Sequence, residues 1–193
     1  MLDSGRNIKT SFAGLALFVA LAAGLLSWPV PAQAGQGGLR LQAAFSEAEI
    51  RNLARNFEYS LLDGSKYRLK NGLFESGEGL DNYVSVKLVA LAVGDLDRDG
   101  YPEAAAILVS NFGGSGSFYE LTVLVNRGQE LEQTNNLELG DRVEVRKLTI
   151  TGGRIRIDLL THGPEDPMCC PSRKTTLICG LAAGRLQLLD KRP

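Results

Sequence analysis

Basic clusters, histidines and crossover helices are what this 193-residue sequence has least of. Its 21 Lys and Arg residues, set against 22 Asp and Glu, are scattered along the chain. Phosphate backbones are held by clustered cations, so this scatter excludes nucleic acid as a partner. His162 is the single histidine, and any Ser-His-Asp, Cys-His or His-ligated zinc scheme must run through it. Gly113-Gly114-Ser115-Gly116 lacks the closing glycine of a nucleophile elbow, because Ser117 stands there, and it lacks the lysine of a phosphate loop. It reads as a flexible turn between strands. No stretch between the strand patterns has the character of a crossover helix, which argues against a parallel α/β fold.

What is present begins with an address. Arg6 and Lys9 precede an uncharged apolar run from Phe12 to Leu26, followed by Trp28, Pro29, Pro31 and Ala32-Gln33-Ala34. The small residues at Ala32 and Ala34 suit a signal peptidase, so residues 1–34 are expected to be a signal peptide cut after Ala34. A retained membrane anchor is the alternative, since about 20 apolar residues span a bilayer. Those 34 residues carry +1, which leaves the remainder at −2 against −1 for the whole chain. The expected location is secreted or periplasmic, with no membrane association after cleavage.

Residues 35–44 are Gly/Gln-rich and read as a disordered lead-in. Residues 45–193 are expected to form a single β-rich domain. Ser46 and Glu49 make a capping box, Phe45 and Ile50 fit the accompanying staple, and Ile50, Leu53, Ala54, Phe57 and Leu61 recur at helical spacing. A helix over 46–60 follows. Beyond it the period changes to two. Lys70-Asn71-Gly72 marks a tight hairpin turn between Tyr67–Leu69 and Leu73–Phe74, and strands are predicted around 84–93, 104–109, 121–125, 143–150, 154–159, 175–179 and 185–189, with turns at Gly152-Gly153 and Ala183-Gly184. The fold class is α+β and mostly β: an antiparallel sheet, curled or sandwiched, of about eight short strands with one N-terminal amphipathic helix.

Cys169, Cys170 and Cys179 are an odd number in a chain expected to meet an oxidising compartment. An adjacent bridge needs a strained small ring. A bond from Cys169 or Cys170 to Cys179 is therefore expected, stapling the C-terminal strands at roughly 2–4 kcal/mol.

The chemistry concentrates in residues 94–106. Asp95, Asp97 and Asp99 stand at alternate positions, Gly100 follows, and Glu103 is ninth counting from Asp95. A hard divalent cation takes six to eight oxygens, and a tight loop with carboxylates at positions one, three and five can supply them. Gly100 permits the reversal, and the Tyr101 carbonyl and Glu103 carboxylate could complete the shell. Without a cation the three aspartates would repel one another. The predicted metal ligands are thus Asp95, Asp97, Asp99, Tyr101 and Glu103, and the expected ion is Ca²⁺. The loop is not an EF-hand, because Ala106 occupies the place of the bidentate Glu. It resembles the calcium loops of the FG-GAP and VCBS repeat families, matched at Asp95, Asp97, Asp99, Gly100 and Glu103. One copy in a chain too short for a ring of blades carries over metal binding and no propeller. Roughly residues 80–190 also resemble a group of bacterial secreted and periplasmic proteins. The matching pieces are Gly94–Ala106, Gly113–Gly116, Leu139-Gly140-Asp141-Arg142-Val143 and Gly163–Pro171. That resemblance implies export and a shared domain, and it brings no activity.

Thr161–Cys170 gathers acid, base and thiol groups around His162, Asp166 and Met168, and Pro164, Pro167 and Pro171 suggest a rigid pinned loop. The leading expectation is an exported calcium-stabilised binding or structural module without a catalytic motif, partnered by an unknown protein or envelope component. One alternative is a cell-envelope hydrolase using acidic residues near the metal or His162 with Asp166. The other is an accessory or inhibitor protein for an envelope enzyme.

Overall fold

The computed structural model describes residues 45–79 and 82–193. The expected signal peptide over 1–34 and lead-in over 35–44 lie outside the described residues. Among the described residues no helix is long and apolar enough to cross a membrane.

Helix α1 is Glu47–Arg55, entered through Ser46. The Glu49 amide donates to Ser46 Oγ at 3.4 Å, and the Ser46 amide donates to Glu49 Oε2 at 2.8 Å, completing the capping box. Glu47 and Glu49 in the first turn and Arg55 in the last suit the helix dipole. The helix is shorter than the predicted 46–60. It stops at Asn56, whose amide donates to Leu53 O at 2.9 Å. The chain then extends into β1 (Glu58–Ser60). The competing force is tertiary: Tyr59 is fully buried, and its hydroxyl donates to Ala54 O at 2.9 Å.

Strand β2 is Lys66–Arg68 and β3 is Leu73–Ser76. The Asn-Gly turn between them forms as predicted, with Asn71 at φ 54° and Gly72 at φ 87°. It also closes the helix, because the Gly72 amide donates to Arg55 O at 2.7 Å. Its flanks part company afterwards. β2 pairs with β1 in a small two-stranded sheet, whereas β3 joins a larger one.

The remaining strands are β4 (Val84–Gly94), β5 (Glu103–Asn111), β6 (Phe118–Asn126), β7 (Leu131–Gln133) and β8 (Leu137–Asp141). They are followed by β9 (Glu144–Thr151), β10 (Arg154–Thr161), β11 (Arg173–Ala182) and β12 (Arg185–Arg192). Among the described residues there are twelve strands, against the expected eight or so. Those without a sequence signal are the short β1, β7 and β8, whose three to five residues hold too little alternation to register, whereas β2 and β3 match the expected flanks of the Asn-Gly turn at 67–69 and 73–74. Strands β3 to β6 run side by side, with β7 and β8 both pairing to β6. β9 to β12 form a four-stranded meander in the order β12-β11-β10-β9. Every strand pairing is antiparallel, and none of the described sheets closes into a barrel.

Two cores lie against β5. Ala105 and Ile107 pack with Leu121 and Val123 of β6 against Ile155, Ile157 and Leu159 of β10. Ala104, Ala106 and Leu108 face the other way, toward Ile50 and Ala54 of α1 and toward Tyr59. A strand buried on both faces has no polar side to alternate with, which is why 104–108 is apolar without interruption. The result is three layers: the helix with the β1–β2 ribbon, the large sheet, and the four-stranded sheet.

The cysteine expectation is overturned. Cys169 and Cys170 are bonded to each other, and Cys179 is a free, fully buried thiol. Cys179 stands on the inward side of β11 with Thr175 and Leu177, opposite Ile155, and belongs to the inter-sheet core. Cys169 and Cys170 sit on an exposed loop, so Cys179 is turned away from both.

Candidate metal centre

The Asp-rich segment is the connection between β4 and β5, whose last pair is Gly94 opposite Glu103. Glycine at 94 has a packing reason: an added Cβ would lie 2.9 Å from Ile150 Cγ2 on β9. Leu96 turns inward and is buried in the inter-sheet core, pinning the start of the loop. Arg98 and Gly100 adopt left-handed conformations, φ 67° and 91°. For Gly100 this costs little. Arg98 is held there by its guanidinium, which donates to Gly152 O at 3.1 Å in the β9–β10 turn.

The loop is tightened by its own aspartates. Asp95 accepts from the Arg98 amide at 2.6 Å and the Gly100 amide at 3.2 Å. Asp97 accepts from the Asp99 amide at 3.3 Å, and Asp99 from the Tyr101 amide at 2.8 Å. These bonds set the three carboxylates facing one centre, and one oxygen of each lies within 4.8 Å of the others. Asp95, Asp97 and Asp99 form a group that could hold a metal ion.

Glu103 is placed differently. It lies outside that 4.8 Å set and is fully buried at the head of β5, on the face that carries Ala105 and Ile107. Its Oε2 accepts from the Leu96 amide at 2.8 Å, while its Oε1 is sealed from solvent and has no hydrogen-bond partner. Burial pushes its carboxyl up to about 7, against the pull of the Leu96 amide, and the charges of Asp97, Asp99 and Asp95 add to the rise. The loop therefore concentrates four carboxylates whose hydrogen-bond donors among the described residues are backbone amides alone. Tyr101 is exposed, and its amide serves Asp99.

His162 and Asp166 do not form a dyad. Asp166 spends its carboxylate on the Gly163 amide, the Ser172 amide and the Ser172 hydroxyl, each at 2.7 Å. Both ring nitrogens of His162 are buried without a protein partner. The 163–172 loop is organised around Asp166 rather than around the histidine.

The sequence reading also missed Glu120, a carboxylate on β6 that is 5 % exposed. Burial raises its carboxyl, opposed by hydrogen bonds from Asn136 and the Leu62 amide. No motif surrounds it. The available signal was a lone Glu between Phe118-Tyr119 and the mostly apolar stretch Leu121–Val125.

Compared with known protein families, curated proteins and solved structures, the chain matches none.

Proposed function

We propose that this protein is an exported binding or structural module stabilised by one calcium ion at the β4–β5 loop, without catalysis of its own. The observation that carries the reading is the convergence of Asp95, Asp97 and Asp99 at the loop whose far end holds buried Glu103, one of whose carboxylate oxygens has no partner. Three carboxylates this close repel, and a divalent cation relieves the repulsion while fixing the loop between two core strands. The all-oxygen donor set favours a hard cation, and calcium accepts the irregular geometry of such a loop better than magnesium does. Gly100 and the left-handed Arg98 give the reversal that aims the carboxylates inward.

The test is thermal unfolding with calcium, with magnesium and with chelator, for the native sequence and for Asp97→Ala. Calcium is expected to raise the melting temperature of the native chain, magnesium to raise it less, and Asp97→Ala to abolish the response. Identical curves with calcium and with chelator would remove the proposal.

A further inference from the structure

At the end of β5 remote from the Asp loop, a cleft of about 360 Å³ opens between the segment after β1, the start of β6 and β8. Seven residue steps along β5 lead from Glu103 to Ser110 on the cleft wall, a span of roughly 24 Å, so the two sites share no residue. Its walls are apolar and unusually open to water. Leu62 is 55 % exposed, Phe118 49 % and Phe112 42 %, so three large apolar side chains meet solvent around one depression.

The aromatic wall is held in place. Phe112 and Phe118 flank the Gly113–Gly116 turn, which Asn111 ties down by donating to Gly114 O at 3.0 Å and Gly116 O at 2.6 Å. The Gly113 amide returns a bond to Asn111 Oδ1 at 3.0 Å. Gly116 lets the Phe118 ring fold across it, since a Cβ there would lie 2.8 Å from the ring's Cζ. The turn expected to be flexible is thus a built support.

The polar lining of the cleft is Ser110, Tyr119 and three acidic residues, Asp63, Glu120 and Glu138. Glu120 is buried, and its Oε2 accepts from the Leu62 amide at 3.0 Å and from Asn136. Its Oε1 receives no hydrogen bond among the described residues and, unlike Oε1 of Glu103, is not sealed from solvent. Asp63 and Glu138 also line the cleft, and no Lys, Arg or His does so among the described residues. An anion would be repelled by these three carboxylates, and a purely apolar ligand would leave the open oxygen of Glu120 without a donor. A cation carried on an apolar body satisfies both halves of the lining, through the open carboxylate oxygen and the aromatic faces.

We infer that this cleft binds a small organic ammonium ion, its charge against Glu120 and its hydrocarbon body against Phe112 and Phe118. The site needs no metal at the Asp loop, so it stands or falls separately from the calcium reading.

Calorimetric titration at low salt with phenethylammonium, and with phenethyl alcohol as its neutral counterpart, tests it. The ammonium ion is expected to bind, and the alcohol to bind at least about tenfold more weakly. Glu120→Gln keeps an acceptor for the Leu62 amide and is expected to weaken the ammonium ion about tenfold. Phe118→Ala removes a half-exposed ring that the fold does not need, and is expected to weaken it several-fold with an unchanged melting temperature. It decides the matter if Glu120→Gln does not fold. Equal binding of the alcohol, undiminished binding by the folded variants, or no heat from the ammonium ion up to about 10 mM would overturn the inference.

Discussion

Glu103 offers the sharpest physical test, because its two oxygens are treated so unequally. Oε2 is held by the Leu96 amide and Oε1 by nothing. In the metal-free chain its carboxyl is raised from an ordinary 4.5 to about 7, chiefly by burial. A raised value means that the folded chain holds this proton more tightly than the unfolded chain does. The stability it contributes is fully present below pH 4.5 and is lost as the pH climbs through about 7. That interval corresponds to roughly 3 kcal/mol, or about 10 °C in melting temperature for a domain of this size. The experiment is urea or thermal unfolding in chelator from pH 4.5 to 8, comparing the native chain with Glu103→Gln. Glu120 is also raised by burial and drifts in the same direction, so the difference between the two proteins isolates Glu103. The native chain should lose about 3 kcal/mol more than the variant across the window. Parallel pH profiles would refute the claim that burial holds the proton on Glu103.

Other expectations follow from single contacts. Burial pushes the Cys179 thiol up to about 11, so a thiol reagent at pH 8 should label no cysteine in the folded chain and one after unfolding; rapid labelling of the native protein would contradict its placement. The Cys169–Cys170 bridge joins neighbours and closes almost no loop, so its reduction should cost no more than about 1 kcal/mol in thermal unfolding. Cooperative unfolding on reduction would show that it staples the fold after all. Tyr59→Phe removes the buried bond to Ala54 O and should destabilise by about 1–2 kcal/mol in urea, where an unchanged midpoint would deny that this bond sets the end of α1.

The strand pattern was legible wherever a strand ran long enough with one dry face. Ile155, Ile157 and Leu159 alternate with Arg154, Arg156 and Asp158 because β10 shows one side to the core and the other to water. The turns at Gly152-Gly153 and Ala183-Gly184 were legible because left-handed backbone is cheap for glycine. Where the helix ends was not. Phe57, Tyr59 and Leu61 alternate by two while Phe57 and Leu61 also fit a helical stripe, and the burial of Tyr59 decides between them. The inward direction of Cys179 could have been read from its parity with Thr175 and Leu177, had the pull of disulfide chemistry not taken precedence. The Asp loop was visible because its carboxylates lie within five residues of one another. The acidic cleft was not, since Leu62, Glu120 and Glu138 are brought together only by the fold. Its one local clue, a charged residue in an apolar strand, is also what a buried structural carboxylate would leave.

The most direct measurement is a calcium titration of the purified chain by calorimetry or equilibrium dialysis. Binding of one ion per chain is predicted, in the roughly 10⁻⁴–10⁻³ M range of extracellular modules or tighter, with Asp97→Asn binding far more weakly. No uptake of calcium at millimolar concentration, or uptake that Asp97→Asn leaves unchanged, would contradict it.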